Sequence, residues 1–128
     1  MPNPNKAKGS AFERAVINYL RDEWRGLEAF RPRQEGNEDV GDIHSGSFTI
    51  QCKDYASVAD ALRIGVAGAV KQAAARNARE GGYSSHPVAL IKRRGKGPAE
   101  AYAVMRLEDF AELMWATDVQ GISKYYDD

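Results

Sequence analysis

Residues 42–53 constrain the fold of this chain more than any other segment. Positions 48–53 read Phe, Thr, Ile, Gln, Cys and Lys, so apolar and polar side chains alternate. An alternation with a period of two is typical of a half-buried strand. A Ser-Gly pair just before it predicts a tight turn, and a strand that ends in the carboxylate of Asp42 precedes that turn. We therefore predict a β-hairpin in which Gln51 and Lys53 point to the same face of the sheet.

The hairpin also predicts a chemical site. If its two strands pair, Asp42 lies beside Gln51 and Lys53, which brings a carboxylate, an amide oxygen and an ammonium group to one sheet edge. Oxygen ligands hold hard divalent cations, and a positive group stabilises the charge that develops on a phosphate under attack. The pattern thus indicates metal-assisted phosphodiester chemistry.

Composition limits the class of protein. The chain has 128 residues, of which 43% are apolar, so we expect 1–128 to form a single domain. No apolar run is long enough to span a membrane, and the first residues lack the apolar core of a signal peptide. Cys52 is the sole cysteine, which excludes an internal disulfide and a cysteine-based zinc cluster. We expect a cytoplasmic protein with no membrane partner.

The charges are balanced overall but unevenly distributed. Lys and Arg number 18, as do Asp and Glu, yet residues 61–98 carry eight basic residues against one acid. Acidic residues are concentrated in 37–60 and in the last thirty positions. An acidic pocket beside a basic segment suits metal-dependent chemistry on a polyanion such as DNA. An ordinary solvated surface with uneven charge is the alternative interpretation.

Periodicity and capping signals predict the element order α-β-β-β-α-β-β-α. We expect the helices at 10–25, 57–79 and 107–116, and strands at 27–31, on both sides of the hairpin turn, at 87–93 and at 101–105. Residues 1–8 are expected to form a flexible basic arm, and 117–128 a weakly determined acidic tail. Hairpin strands joined to a helical crossover imply an α/β fold, with a mixed central sheet flanked by helices.

This order and its polar residues resemble the restriction-endonuclease-like nuclease superfamily, whose signature is P-D…(D/E)-x-K. Gly41 and Asp42 stand for the P-D element, and residues 51–53 stand for the second element. The opening from Lys8 to Arg14 is similar to the K-G-x-x-x-E-R start of the archaeal-type and viral Holliday junction resolvases. The resemblance covers about residues 6–105 and implies an α-β-β-β-α-β core. Proline is absent before Asp42, and Gln51 replaces the usual acid.

The resemblance also implies a function. It predicts an Mg²⁺-dependent endonuclease, with Mn²⁺ as a substitute, that cuts four-way DNA junctions as a homodimer in a prokaryotic cell or a phage-infected host. Asp42, Gln51, Glu13 and the backbone carbonyl of Cys52 are the implied metal ligands, and Lys53 orients or deprotonates the attacking water. Because an amide brings no negative charge, Gln51 should weaken metal binding.

DNA contacts are expected from basic and polar residues on several elements. Arg31 follows the predicted first strand, as an arginine does in the resolvases, and related recombination nucleases have a glutamine at the position of Gln72. The expected contact residues are Lys8, Arg14, Arg31, Lys71, Gln72, Arg76, Lys92, Arg93, Arg94 and Lys96. For the segment 92–96, a solubilising turn is the alternative interpretation, and for Gln72 it is helix packing.

Structural roles are available for the other candidates as well. Ser10 and Glu13 are spaced as a capping box, which would give Glu13 a structural duty. Asp42 fits a turn-initiating acid, and Lys53 fits a solvated edge-strand lysine. His44 is expected at the hairpin surface and Cys52 in the core. Aromatic residues on the first and last helices, Trp24, Phe110 and Trp115, are expected to pack against the sheet.

Two further functions remain compatible with the sequence. One is a nuclease of the same fold that acts on flaps, ends or nicked duplex. The other is a non-catalytic DNA-binding or assembly module, which the loss of the acid at Gln51 makes plausible. The small apolar residues of the second helix fit either a dimer interface or close packing on the sheet.

Overall fold

The computed structural model describes residues 4–33, 39–81 and 84–118. Within them the chain forms three α-helices, a short 3₁₀ helix (Pro98–Glu100) and a four-stranded mixed sheet. The elements are α1 (Pro4–Glu23), β1 (Ile43–Ser45), β2 (Phe48–Lys53), α2 (Val58–Glu80), β3 (His86–Ile91), β4 (Tyr102–Val104) and α3 (Leu107–Asp118). This arrangement confirms the expected α/β class. None of the helices in these ranges is long and apolar enough to cross a membrane.

The sheet has the order β1-β2-β3-β4. The predicted hairpin is present as an antiparallel pair in which Ile43 lies opposite Ile50. Helix α2 then carries the chain to β3, which runs parallel to β2 with Gln51 opposite Ala89. Strand β4 adds an antiparallel edge. The long helical crossover explains the single parallel pair, because parallel neighbours require such a connection.

The two faces of the sheet carry different cores. Apolar residues of α1, including Phe12 and Val16, are buried with Ile50, Cys52 and their neighbours on one face. On the other face, small side chains of α2 pack against β3, with Ala61 buried beside Ala89 and Ile91. The small residues of α2 are therefore used, at least in part, for close approach to the sheet. Alternate residues of β2 consequently face α1 or α2.

Helix α2 begins as its sequence predicts. The Ser57 hydroxyl accepts a hydrogen bond from the Asp60 amide at 3.2 Å, which is the N-cap interaction of the expected capping box. The helix ends at Glu80, followed by Gly81 with φ +59°. The other capping prediction is wrong, because α1 starts at Pro4 and Ser10 lies inside it. Residues 4–8, expected in a flexible arm, are the first turns of this helix.

The predicted strand at 27–31 is also wrong. In the described part of the chain this segment forms one isolated bridge, in which Phe30 and His44 exchange backbone hydrogen bonds of 3.0 and 2.9 Å. Pro32 has no amide hydrogen with which to extend the ladder. The acidic tail beyond residue 118 lies outside the described residues.

Several apolar and aromatic side chains differ from expectation. Trp24, Phe110 and Trp115 are exposed rather than packed on the sheet. His44, expected at the surface, is buried and hydrogen bonds through Nε2 to the Val40 carbonyl at 2.6 Å. Burial lowers its pKa, which favours a neutral structural imidazole. Cys52 lies in the core as predicted, and burial raises the pKa of its thiol well above the usual range.

Candidate functional site

The residues predicted to be catalytic meet in one open cleft of about 880 Å³ at the end of β2. Helix α1 forms one wall, and the loop from β2 to the start of α2 forms another. The lining residues are Gly9, Ser10, Glu13, Asp42, Gln51, Cys52, Lys53, Asp54, Tyr55, Ala56, Ser57 and Asp60. All four residues expected to be catalytic are among them. We refer to this space as the cleft.

Asp42 is fixed to β2 from both its backbone and its side chain. Its amide donates to the Ile50 carbonyl at 3.0 Å, and its Oδ2 accepts from the Cys52 amide at 2.8 Å. The preceding Gly41 has φ +109°, and a Cβ there would lie 2.9 Å from the Thr49 side chain. Only glycine suits such a position. Gly41 therefore allows the chain to bring Asp42 against β2. An acid that only initiated a turn would not need this close approach.

Glu13 extends into the cleft from the middle of α1. The Arg31 guanidinium lies 3.4 Å from its Oε2 and also donates to the Ser10 carbonyl at 3.1 Å. Arg31 thus joins α1 to the segment that follows it and orients Glu13. This contact places Arg31 at the cleft rim, where it remains exposed.

Gln51 and Lys53 lie on the α2 face of β2, as the alternation predicts, and two glycines of α2 accommodate them. A Cβ at Gly65 would approach Lys53 Cγ to 3.2 Å, and one at Gly68 would lie 3.7 Å from Gln51 Cδ. The Oε1 atom of Gln51 is buried and has no hydrogen-bond partner in the described part of the chain. The Lys53 ammonium lies 5.3 Å from the centroid of the Tyr55 ring.

The backbone carbonyl of Cys52 lies on the Asp42 side of β2. Ile50 O and Cys52 N both bond to Asp42, whereas Lys53 O accepts from the amide of Lys92, just after β3. Backbone groups of successive strand residues point to opposite neighbours. The Cys52 carbonyl is therefore directed to the side of the strand on which Asp42 lies, as a ligand role requires.

Two of the acids that line the cleft, Asp42 and Glu13, have raised pKa values. Burial raises the pKa of Asp42, the hydrogen bond from Cys52 opposes this rise, and the charge of Asp39 adds to it. Burial and then the charge of Asp42 raise the pKa of Glu13, while Arg31 and Arg14 act to lower it. Carboxylates held together in this way favour a compensating cation.

The donor set fits a hard divalent cation. Carboxylate oxygens of Asp42 and Glu13, the partnerless amide oxygen of Gln51 and the Cys52 carbonyl are all oxygen donors, which Mg²⁺ prefers. Across the described ranges, no three or more His, Cys, Asp or Glu side chains are grouped as a metal centre would need. The four oxygen donors of the cleft do not form such a group, because two of them are the Gln51 amide and the Cys52 backbone carbonyl rather than acids.

The basic turn after β3 borders the cleft. Lys92 lies 3.8 Å from Asp54, a cleft residue, and the Arg93 guanidinium lies 4.8 Å from the Tyr102 ring centroid. Arg94 and Lys96 are exposed. Lys71 is exposed on the outer side of α2, Arg14 is exposed on α1, and Lys8 lies within α1.

Arg76 does not lie at the surface, which corrects its expected contact with DNA. Its guanidinium is buried and donates to the carbonyls of Phe48 and Gly46, both at 2.9 Å, and it bonds Glu80 at 3.3 Å. A buried charge needs such partners. Arg76 therefore stabilises the hairpin turn from α2.

Gln72 is also buried, and its Nε2 donates to Asp39 Oδ2 at 2.7 Å. The other Asp39 oxygen accepts from the Gly41 amide at 3.0 Å. Through Asp39, Gln72 thus holds the loop that carries Asp42. This buried contact fits the helix-packing interpretation of Gln72 better than a contact with DNA. Sequence reasoning did not single out Asp39, although its three-residue spacing from Asp42 was visible.

Comparison with known proteins identifies no relative. No family model, no curated protein and no solved structure matches the chain. The function must therefore be argued from the cleft itself.

Proposed function

We propose that this chain is a metal-dependent DNA endonuclease of the restriction-endonuclease-like superfamily, and that four-way junctions are its substrate. The observation that carries the proposal is the meeting of Glu13, Asp42, Gln51 and Lys53 in one cleft. These residues come from α1, the loop before β1, and β2. Chance matches to a short motif have no reason to converge in this way. The order of α1, hairpin, α2 and β3 also supports the superfamily, although the strand at 27–31 is reduced to a bridge.

The residues of the cleft divide the chemistry among them. Asp42, Glu13, Gln51 and the Cys52 carbonyl would hold Mg²⁺, or Mn²⁺ in its place. When bound, the ion would polarise the phosphate as a Lewis acid and would lower the pKa of a water molecule. Lys53 orients the attacking water and neutralises the charge that develops on the phosphate. Attack at phosphorus with loss of the 3′ oxygen leaves a 5′-phosphate and a 3′-hydroxyl.

The DNA partner is supported by the charge around the cleft. Lys92, Arg94 and Lys96 lie on the turn beside it, and Arg31 lies at its rim. Phosphate contacts of this kind position a nucleic acid without reading its sequence. A junction has two-fold symmetry and is resolved by two opposed nicks, so we propose that two copies of the chain act together.

Cleavage of end-labelled four-way junctions with Mg²⁺ or Mn²⁺ tests the proposal. We expect Asp42→Ala and Lys53→Ala each to lower the cleavage rate by about 100-fold or more, because each removes a group that acts at the reacting phosphate. Asp22→Ala, on the exposed end of α1, is the matched control and should cleave at the wild-type rate. Paired nicks at symmetric positions would support the homodimer.

The other outcomes are equally informative. Unchanged rates in both site variants would overturn the site. Preference for plain duplex or a flap over a junction of equal length would retain the nuclease and change its substrate. A protein that binds DNA but cuts nothing with any divalent metal would be a binding module, for which Gln51 in place of an acid is the structural argument.

A further inference from the structure

Tyr55 occupies a position that the proposed reaction does not use. It lies two residues after Lys53 in the loop between β2 and α2, and 41% of its surface is exposed. It lines the cleft, and it also lines a second cavity of about 260 Å³, which we call the flanking cavity. The flanking cavity is formed by Asp54, Tyr55, Ala56, Val58, Lys92, Arg94 and Gly95. Tyr55 is therefore part of the wall between the two spaces.

Two contacts hold this wall in place. The Lys53 ammonium lies over the Tyr55 ring at 5.3 Å from its centroid, which is a cation–π distance. The neighbouring Asp54 forms an ion pair with Lys92 at 3.8 Å and so ties the loop to the end of β3. The ring is thus placed next to the proposed catalytic lysine while much of its surface remains open to solvent.

The two spaces suit successive parts of one DNA strand. The cleft takes the phosphate that is cut, and the flanking cavity offers Lys92 and Arg94 to a neighbouring phosphate. A strand that runs from one to the other passes the Tyr55 ring. An aromatic ring beside a basic groove is the usual platform on which single-stranded bases stack.

We propose that Tyr55 is a nucleobase-stacking residue that receives an unstacked base next to the scissile phosphate. The inference rests on the proposed function and deepens it. A base in a regular duplex is stacked on both sides and cannot lie on the ring. Tyr55 therefore makes the cleft selective for DNA with unpaired or distorted nucleotides at the cut, which a four-way junction supplies at its centre.

Fluorescence of 2-aminopurine tests the stacking directly and needs no cleavage. The probe is placed at a single unpaired position in an otherwise paired duplex, and binding is measured in EDTA against a fully paired duplex of equal length. We expect wild type and Tyr55→Phe to quench the probe and to prefer the unpaired DNA. Tyr55→Ala should lose the quenching and bind the unpaired DNA about 5- to 150-fold more weakly, as expected for one stacked base.

Tyr102→Ala provides the matched control. Tyr102 is another exposed tyrosine beneath a basic side chain, but it lines neither the cleft nor the flanking cavity. It should leave the quenching unchanged. Equal weakening of both DNAs by Tyr55→Ala, or quenching that persists in it, would overturn the stacking role alone. A wild-type protein that binds neither DNA would overturn the proposed function together with it.

Discussion

Gln51 is the residue at which this chain departs most from the nuclease pattern. The side chain is buried under α2 beside Gly68, and its Oε1 has no partner among the described residues. A buried carbonyl oxygen without a hydrogen bond costs about 1–3 kcal/mol. Under the proposed function, we expect a cation bound in the cleft to satisfy it.

Substitutions of Gln51 should therefore change the metal dependence. We expect Gln51→Glu to lower the Mg²⁺ concentration needed for half-maximal cleavage, because it adds a negative charge to the ligand set, and Gln51→Ala to raise it. Without metal, Gln51→Glu should melt at a lower temperature than wild type, since its carboxylate lies near Asp42 in a buried setting. Mg²⁺ should then raise its melting temperature more than that of wild type.

Mg²⁺ titrations of cleavage and of thermal unfolding, each with the three proteins, provide the measurement. Identical Mg²⁺ dependence in all three would mean that Gln51 does not touch the metal. If the melting temperature of Gln51→Glu does not change with Mg²⁺ concentration, the same conclusion follows without a measurement of activity.

Residues whose roles follow from a short period were predictable, and residues whose roles depend on distant partners were not. A period of two was enough to put Gln51 and Lys53 on one face of β2. Arg76 looked like a DNA contact because charge favours the surface. Its burial depends on carbonyls at 46 and 48, about thirty positions away in sequence. No local pattern contains that information.

At the scale of elements, the glycines of α2 determine how closely this helix can approach β2. A Cβ at Gly65 would lie 3.2 Å from both Lys53 Cγ and Ala89 Cβ, and 3.4 Å from Ile91 Cδ1. Such contacts require neighbours to shift by a few tenths of an ångström. Because Ala89 and Ile91 are buried, the flexible Lys53 side chain is the neighbour that moves most easily.

We expect Gly65→Ala to displace Lys53 and slow junction cleavage about tenfold or more, as small misplacements of catalytic groups do. DNA affinity should not change. The helix gains about 1 kcal/mol from replacing glycine, which offsets much of the crowding, so the protein should remain folded. Gly68→Ala is the control, because its Cβ would meet Gln51 Cδ at an ordinary 3.7 Å. Equal rates for both variants would mean that the approach at Gly65 does not position Lys53.

Element types were easier to predict than element ends. The hairpin, α2 and β3 follow from alternation and a capping box, which are local signals. The start of α1 was missed because Ser10 and Glu13 imitate a cap inside a longer helix. The strand predicted at 27–31 does not form because a strand needs a partner along its length. Only Phe30 meets one, at His44.

At the scale of the whole molecule, the net charge is balanced but the basic side chains are unevenly distributed. The formal net charge is zero, yet the turn at 92–96 places basic side chains beside the cleft. The affinity of a protein for DNA depends on its individual contacts with phosphates, because each contact releases counterions. Affinity should therefore fall steeply with salt despite the neutral total.

Two double variants with the same net charge can separate the effect of where the basic residues lie from the effect of total charge on DNA affinity. Arg94→Gln with Lys96→Gln removes two positive charges beside the cleft. Arg21→Gln with Arg25→Gln removes one in the last turn of α1 and one just after this helix. If both turn residues contact phosphates, the first pair should reduce the slope of log affinity against log salt by about 1.8, which is about 0.9 for each contact. The second pair should leave the slope unchanged, although its net charge is the same. An equal reduction in both would attribute binding to total charge, and no change in the first would place the DNA elsewhere, toward Lys8 and Arg14.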